Sequence, residues 1–335
     1  MLAETIHKLV DRIDLSEAEA RQAMKELIDG RAPDAQIGAF LTALRMKGET
    51  AEEVIGLVRA MRERAEPFWD GEALAVADTC GTGGDASGTF NISTAAAFVA
   101  AGAGVRVAKH GNRSRTGCGS AEVMEALGAD IQLPIDRLRK AVAEIGVGFL
   151  FAPRFHPSMK HVAPARSQLG MRTVFNILGP LANPAHACYQ VVGVFSSEIM
   201  ELMANALQGL GAAHAFVVHG LDGTDEISIC APTQIAELAK GEIRFYTVTP
   251  EDFGLASAAP DSVRRGDVPA NAAMIEAVLR GERGPRRDVV LMNAAAAIVA
   301  AGAAVSLKDG FRAAADAIDS GRAHQKLEQL RELSR

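Results

Sequence analysis

Several things are scarce in this chain of 335 residues. It has four cysteines, Cys80, Cys118, Cys188 and Cys230, and no CxxC pair. That spacing excludes a structural zinc knuckle and a thioredoxin-like motif. No run is apolar enough to cross a bilayer. The most apolar stretch, Val289–Val305, is alanine-rich and interrupted by Asn293, and it falls short of the ~20 strongly apolar residues a span needs. The start, MLAETIHKLVDRIDLSEAEA, is amphipathic and acidic rather than a signal peptide. Basic excess is missing as well: the net charge is −6 and the pI about 5.8, against the footprint of a generic nucleic-acid binder. GxxxxGK[ST] occurs nowhere, so a P-loop is excluded. There is no internal repeat, low-complexity tract or long linker. These absences lead to the expectation of a soluble, cytoplasmic protein with reduced thiols, with no membrane and no nucleic-acid partner.

What is present is a globular composition, 48% hydrophobic and 23% charged, on a length that allows one large domain or two unequal ones. Residues 1–66 read as helices only. Ser16 with Glu19 and Thr50 with Glu53 are capping boxes that open two of them, and Gly30 followed by Pro33 ends one helix and starts another. From Ala73 the texture changes to short apolar runs, Leu74–Ala77, Val105–Ala108, Gly148–Phe151, Tyr189–Phe195 and Ala215–His219. Helical stretches lie between them at Ser93–Ala103, Ser120–Leu127, Ile135–Ile145 and Glu198–Leu210. This alternation predicts βαβ units and a mostly parallel sheet. Residues 235–248 read as antiparallel strands, and the tail from Pro269 as helical. The expected fold class is α/β: a small all-helical N-terminal domain over 1–66 and a larger α/β domain over 73–335, its central sheet flanked by helices. Helices within about 157–182 could pack on the small domain.

Glycine supplies the first chemical signal. Nine of 32 glycines fall within residues 81–119. Asp78-Thr-Cys-Gly81-Thr-Gly83-Gly84-Asp85 follows one strand and precedes a helix, a setting where backbone N–H groups can approach an anion. Read as a dinucleotide fingerprint, it lacks the acid that should end the next strand, where Lys109 stands instead. Asn91-Ile-Ser93-Thr94 then opens a helix, and Asn91 or Ser93 could simply cap it. Lys109-His-Gly-Asn-Arg-Ser114, running on to Ser120, is a second loop of the same kind. Both should lie at the carboxyl ends of neighbouring parallel strands. Finally, Asp225 and Glu226 in Leu221-Asp-Gly-Thr-Asp-Glu stand side by side at a strand end. Adjacent carboxylates with no cysteine or histidine cluster nearby suit Mg²⁺ better than zinc, and a solvated acidic turn is the plainer alternative.

Charge is unevenly spread. Residues 86–121 and 145–197 contain no Asp or Glu but carry Arg106, Lys109, Arg113, Arg115, Arg154, Lys160, Arg166 and Arg172. The net −6 thus divides into +8 in these two windows and −14 elsewhere. A compact anion in a locally positive cleft is the reading that follows.

Taken together, DTCGTGGD, NIST, KHGNRS, HPSMKHVAPARSQLGMRTVFNILGPLANP and DGTDEIS, in this order, resemble the anthranilate phosphoribosyltransferases of tryptophan biosynthesis, in the nucleoside-phosphorylase-like group. The resemblance runs over nearly the whole chain. It implies transfer of the 5-phosphoribosyl group from phosphoribosyl pyrophosphate to the amine of anthranilate, with Mg²⁺ as cofactor, two per subunit, in a homodimer formed through the helical domain. By the same resemblance, phosphoribosyl pyrophosphate is held by Gly81, Gly84, Asp85, Thr89, Asn91, Ile92, Ser93 and Thr94. Lys109, His110, Gly111, Asn112, Arg113, Ser114, Arg115, Thr116 and Gly117 fold over its phosphates, together with Ser120. Gly81, Asn112 and Arg166 contact anthranilate, and Ser93, Asp225 and Glu226 ligate metal. No residue is assigned as a nucleophile; His110 is a candidate proton acceptor.

One departure is visible. The family usually continues KHGNRS with a small-residue stretch containing a lysine, whereas Arg115-Thr-Gly-Cys-Gly-Ser-Ala-Glu here is one residue shorter and has no lysine. Two other readings share the fold: a pyrimidine-type nucleoside phosphorylase, and a noncatalytic relative that binds nucleic acid. KHGNRS argues against the first, and the acidic balance with Asp225 and Glu226 against the second.

Overall fold

The computed structural model describes residues 2–83, 87–114 and 117–335. Gly84, Asp85, Arg115 and Thr116, which the sequence places in the substrate loops, lie outside the described residues. Helices α1 (Leu2–Val10), α2 (Glu17–Ile28), α3 (Asp34–Lys47) and α4 (Ala51–Glu63) form the N-terminal bundle. Both capping boxes are made. Ser16 Oγ accepts from Glu19 N–H at 3.3 Å, and Thr50 Oγ1 from Glu53 N–H at 3.3 Å. Glu53 does more than cap: fully buried, it also accepts from Leu15 N–H at 2.9 Å and from Lys47 Nζ at 3.0 Å. A buried carboxylate is tolerable only when so partnered, and this one ties three bundle segments together.

The second part carries strands β1 (Ala77–Thr79), β2 (Val107–Gly111), β3 (Val147–Phe151), β4 (Tyr189–Gly193), β5 (His214–Gly220), β6 (Thr233–Ala239) and β7 (Glu242–Val248) in one sheet. Their order is β3-β2-β1-β4-β5-β6-β7, with β1 to β5 mutually parallel and β6 and β7 antiparallel. Between them lie α5 (Ile92–Gly102), α6 (Ser120–Ala126), α7 (Ile135–Lys140), α8 (Ala152–Phe155), α9 (Ala163–Leu169), α10 (Phe175–Leu181) and α11 (Met200–Gly209). Helices α12 (Val268–Leu279), α13 (Pro285–Ala300), α14 (Leu307–Asp319) and α15 (Arg322–Ser334) complete the chain.

Period-two alternation distributes the strand side chains between two cores. Val191, Phe216, Val218 and Ile235 face the layer of α5 and α12 to α15. Val192, Val217, Ala236 and Leu238 face α11 and the bundle, sharing a core with Leu27, Phe40 and Val58. Val162 and Ala165 of the α9 region and Ile177 and Leu178 of α10 join that second core. Helices α5 and α13 are apolar around most of their circumference, as their buried residues require. No described helix is long and apolar enough to cross a membrane.

The strand boundaries differ from the sequence expectation where polar residues enter the sheet. Strand β1 is Ala77–Thr79 rather than 74–77, and β2 extends through Lys109, His110 and Gly111, which read as loop. Asp78, Thr79, Lys109 and His110 are all buried, and each finds hydrogen-bond partners there. Burial with partners overrides an apolar-run criterion. The helix expected over 135–145 is α only to Lys140 and continues as a π-turn over Ala141–Ile145. The sheet reverses its winding at β1, whose neighbours β2 and β4 lead in opposite directions, and the carboxyl ends of strands at such a switch point are where open α/β sheets have their binding crevice.

Candidate active site

The loop after β1 turns sharply. Thr82 N–H donates to Gly193 O at 2.8 Å, and Thr82 Oγ1 accepts from Phe195 N–H at 3.2 Å. This pins the glycine loop to the end of β4. Asp225, arriving after β5, then places Oδ2 where Gly83 N–H donates to it at 2.9 Å. The approach leaves no space for side chains: a Cβ on Gly81 would lie 2.6 Å from Asp225 Oδ2, and one on Gly193 1.6 Å from Asp225 O. Two glycines are thus needed because a carboxylate and its backbone pass over them.

Glu226 meets the second motif. Ser93 N–H, in the first turn of α5, donates to Glu226 Oε1 at 3.1 Å. The capping expectation is corrected here. Asn91 stands at the cap position but makes no side-chain cap bond; its Nδ2 donates to Cys118 O at 3.2 Å, and its Oδ1 accepts from Asn271 Nδ2 at 3.1 Å. The orphan N–H of the helix is satisfied by a carboxylate from across the sheet, an arrangement the helix dipole favours. Asn293, the polar interruption in α13, holds the other end. Its Oδ1 accepts from Ile227 N–H and its Nδ2 donates to Ile227 O, both at 2.9 Å.

Lys109 lies beneath Ser93. Its Nζ donates to Thr79 O and, at 3.3 Å, to Ser93 Oγ; the side chain is buried in the floor of the crevice and does not reach out from the loop. Thr79 Oγ1 in turn donates to Ser93 O at 3.0 Å. Asp78 accepts from His110 N–H at 3.1 Å and from Asn183 Nδ2 at 2.8 Å. Burial pushes its carboxyl up to about 6, against the opposing pull of Lys109 and these bonds.

His110 is turned into the protein. Its Nδ1 bonds Gly179 O at 3.2 Å, its ring packs edge-on against His156 with centroids 5.4 Å apart, and Nε2 is buried without a partner among the described residues. Burial, reinforced by His156, pushes it down to about 3. Burial also pushes the Cys80 thiol up from its ordinary value.

The remaining expected residues form separate groups. Thr89 bridges to Arg264, fixing the segment before α5. Ile92 and Thr94 are buried in the first turn of α5, and a Cβ on Gly111 would clash with Ser120 Oγ at 2.4 Å. Asn112 O accepts from Ala121 N–H at 3.3 Å and from Ser120 Oγ at 3.4 Å, closing the stem of the second loop, whose Ser114 and Gly117 lie nearby in the chain. Arg113 donates to Glu125 from its two terminal guanidinium nitrogens, at 2.8 and 2.7 Å. Arg166 on α9 is half-buried, its guanidinium 4.6 Å from the Phe175 ring centroid. Asp78, Thr79, Gly193, Asn183, Asn271 and Asn293 were not anticipated as site residues. Asp78 and Thr79 stood in the first glycine motif without a role of their own, and Asn293 showed as a polar interruption of an apolar segment.

Two glycine loops, a helix start and a carboxylate pair thus lie together at the switch point of a parallel sheet, where proteins of this class take their ligands. The family models agree in kind: residues 73–324 match the glycosyl transferase family a/b domain, and residues 3–65 its helical bundle domain. The relatives are more specific. Anthranilate phosphoribosyltransferase of Geobacter sulfurreducens is 49% identical over 98% of both chains. That of Symbiobacterium thermophilum is 52% identical over 98% of this chain and 96% of its own. Among solved structures, anthranilate phosphoribosyltransferase from Thermus thermophilus superposes with a TM-score of 0.91 at 43% identity, over 98% of each chain. The Saccharomyces cerevisiae enzyme in complex with phosphoribosyl pyrophosphate and magnesium gives 0.89 at 29% identity, over 99% of this chain and 97% of its own. The chain belongs to the anthranilate phosphoribosyltransferase family.

Proposed function

We propose that this crevice transfers the 5-phosphoribosyl group from phosphoribosyl pyrophosphate to the amine of anthranilate, releasing pyrophosphate, as a step of tryptophan biosynthesis. The observation that carries the reading is the convergence of Asp225 and Glu226 on the backbone N–H groups of Gly83 and Ser93. This joins the first glycine loop and the start of α5 to the carboxylate pair at one place.

The donor set is oxygen only: Ser93 Oγ, Asp225 and Glu226. The carboxylates are oriented by N–H groups, and a cradle over Gly81 is too tight for a Cβ. Such hard oxygen ligands fit Mg²⁺, and we assign two ions per subunit to them. When bound, Mg²⁺ neutralises pyrophosphate and makes it a better leaving group. The chain's own part is positioning and electrostatics. Gly81, Gly84, Asp85, Thr89 and Asn91 to Thr94 take the phosphoribosyl pyrophosphate, with Lys109 holding Ser93 from below. The second loop, from Gly111 through Gly117 to Ser120, covers it, Arg115 and Thr116 included. Asn112, Gly81 and Arg166 receive anthranilate, the Arg166 fork matching its carboxylate.

His110 is not assigned the amine proton. Its ring is enclosed and is a weak base at about 3. An arylammonium is itself acidic enough to release its proton to water or to the departing pyrophosphate.

Val10, Ile13 and Met46 are 64%, 50% and 70% exposed on the helical domain, and we propose that they lie in a homodimer interface. With four free cysteines, the enzyme is proposed to act in the cytoplasm. Following anthranilate fluorescence tests the reaction: it should decay only with phosphoribosyl pyrophosphate and Mg²⁺ both present. A decay no faster than the enzyme-free control refutes it.

A further inference from the structure

The pair formed by Arg113 and Glu125 carries an inference about how the second loop is held. Arg113 belongs to the run that the family resemblance gives to the substrate phosphates, yet its guanidinium is committed elsewhere. Two of its nitrogens meet the two oxygens of Glu125 at 2.8 and 2.7 Å, the paired fork geometry that gives an arginine–carboxylate contact its directionality. The Phe151 ring at the end of β3 backs the guanidinium, its centroid 5.7 Å away. Glu125 holds Arg113 more firmly protonated than usual.

The backbone of the same segment is equally constrained. Arg113 N–H donates to Asn112 Oδ1 at 2.8 Å, and Asn112 O receives both Ala121 N–H and Ser120 Oγ. Gly119 passes so close that a Cβ there would lie 2.5 Å from Ser114 N and 2.7 Å from Asn112 O. The loop therefore leaves β2 and enters α6 through one narrow stem. Arg113 crosses that stem and anchors it to the last turn of α6. Helix α6 has its own apolar anchors in Ala121, Val123 and Met124, so its folding does not depend on the pair. Both partners are nearly half-exposed, at 46% and 41%. What the pair determines is where the loop stands.

We propose that Glu125 is a positioning residue for phosphoribosyl pyrophosphate, and that Arg113 acts as the strut of the loop stem and not as a phosphate ligand. The proposal rests on the reaction assigned above. A phosphate-binding arginine and a strut make opposite demands on Glu125. If Arg113 binds phosphate, Glu125 competes with the substrate; if Arg113 is a strut, Glu125 supports substrate binding.

Glu125→Gln, Arg113→Gln and the exchange Arg113→Glu/Glu125→Arg separate the two. Each is measured as KM for both substrates and as calorimetric Kd for phosphoribosyl pyrophosphate with Mg²⁺, with thermal melts to confirm folding. The strut predicts that both single variants raise KM and Kd for phosphoribosyl pyrophosphate about two- to fivefold, the scale of an exposed ion pair. The KM for anthranilate and kcat should stay within about twofold, and the exchanged pair should return towards wild type. If Glu125→Gln tightens or leaves unchanged the binding that Arg113→Gln weakens, or the exchange restores nothing, the proposal is overturned. A wild type that binds phosphoribosyl pyrophosphate without turnover refutes the assigned reaction alone, and the Kd comparison still decides the strut.

Discussion

Replacing Gly81 by alanine tests the carboxylate corner with a single methyl group. The backbone of Gly81 lies outside the left-handed region, so alanine adds no conformational strain there. The cost is steric and local. The new Cβ would stand 2.6 Å from Asp225 Oδ2 and 3.2 Å from its Cγ, where real contacts are at least 3.0 Å. The carboxylate must therefore retreat, and the bond it accepts from Gly83 N–H at 2.9 Å is lost or stretched. A hydrogen bond to a charged group contributes about 1.5–3 kcal/mol, so the half-saturating Mg²⁺ concentration should rise about tenfold or more. The melting temperature should move little, because no core residue is touched. Two neighbours bracket the effect. Gly83→Ala meets nothing within 4 Å and should cost only the left-handed strain of about 1 kcal/mol. Gly193→Ala meets the Asp225 backbone at 1.6 Å and should be the most damaging. The assay is anthranilate fluorescence across a Mg²⁺ titration for the three variants. An unchanged Mg²⁺ requirement in Gly81→Ala refutes the assignment of Asp225 to the metal.

Asn293→Ala should destabilise the protein by about 2–4 kcal/mol in denaturant titrations, since it strands the buried N–H and C=O of Ile227; it should also weaken Mg²⁺ use through Glu226. Acid should destabilise the fold below pH 6.5. His110 and His156 are held neutral at about 3 and about 4, so the unfolded chain takes up protons first and their contribution is lost as pH falls towards those values. Asp78, raised to about 6, acts in the opposite sense below that pH. His156→Gln should flatten the dependence of melting temperature on pH between 6.5 and 4, and an unchanged slope contradicts the account. Met46→Glu should shift the protein towards monomer in light scattering after size exclusion; an unaltered mass excludes that face from the dimer.

Much of this architecture was legible without coordinates, for local reasons. Capping boxes act over three residues, so Ser16 and Thr50 announced their helices by themselves. Alternating short apolar runs and helical stretches implied a parallel sheet, since only crossover helices connect parallel neighbours. The glycine loops, and the pairing of Asp225 with Glu226, were visible as composition against their surroundings. Less legible were the polar strand residues. Asp78 and Lys109 look like loop residues until Asn183, Thr79 and Ser93, distant in the chain, supply their partners. Arg113 and Arg166 could be named as cations but not aimed, because an arginine side chain reaches several ångströms in any direction.

The division follows from the range of the forces. Propensity, capping and the placement of glycine and charge are short-range, and they set the two-part fold, the glycine-rich loops and the family resemblance within the chain itself. Which groups meet is a matter of packing between segments that the chain separates by 12 residues for Arg113 and Glu125, 69 for His110 and Gly179, and 133 and 142 for the two carboxylates. Folding brings Glu226 to the first turn of α5, lays Asp225 across Gly81, encloses His110 and turns Arg113 to Glu125. No local signal could foretell these, because each rests on a steric or hydrogen-bond fit that exists only once the sheet has closed against its helices.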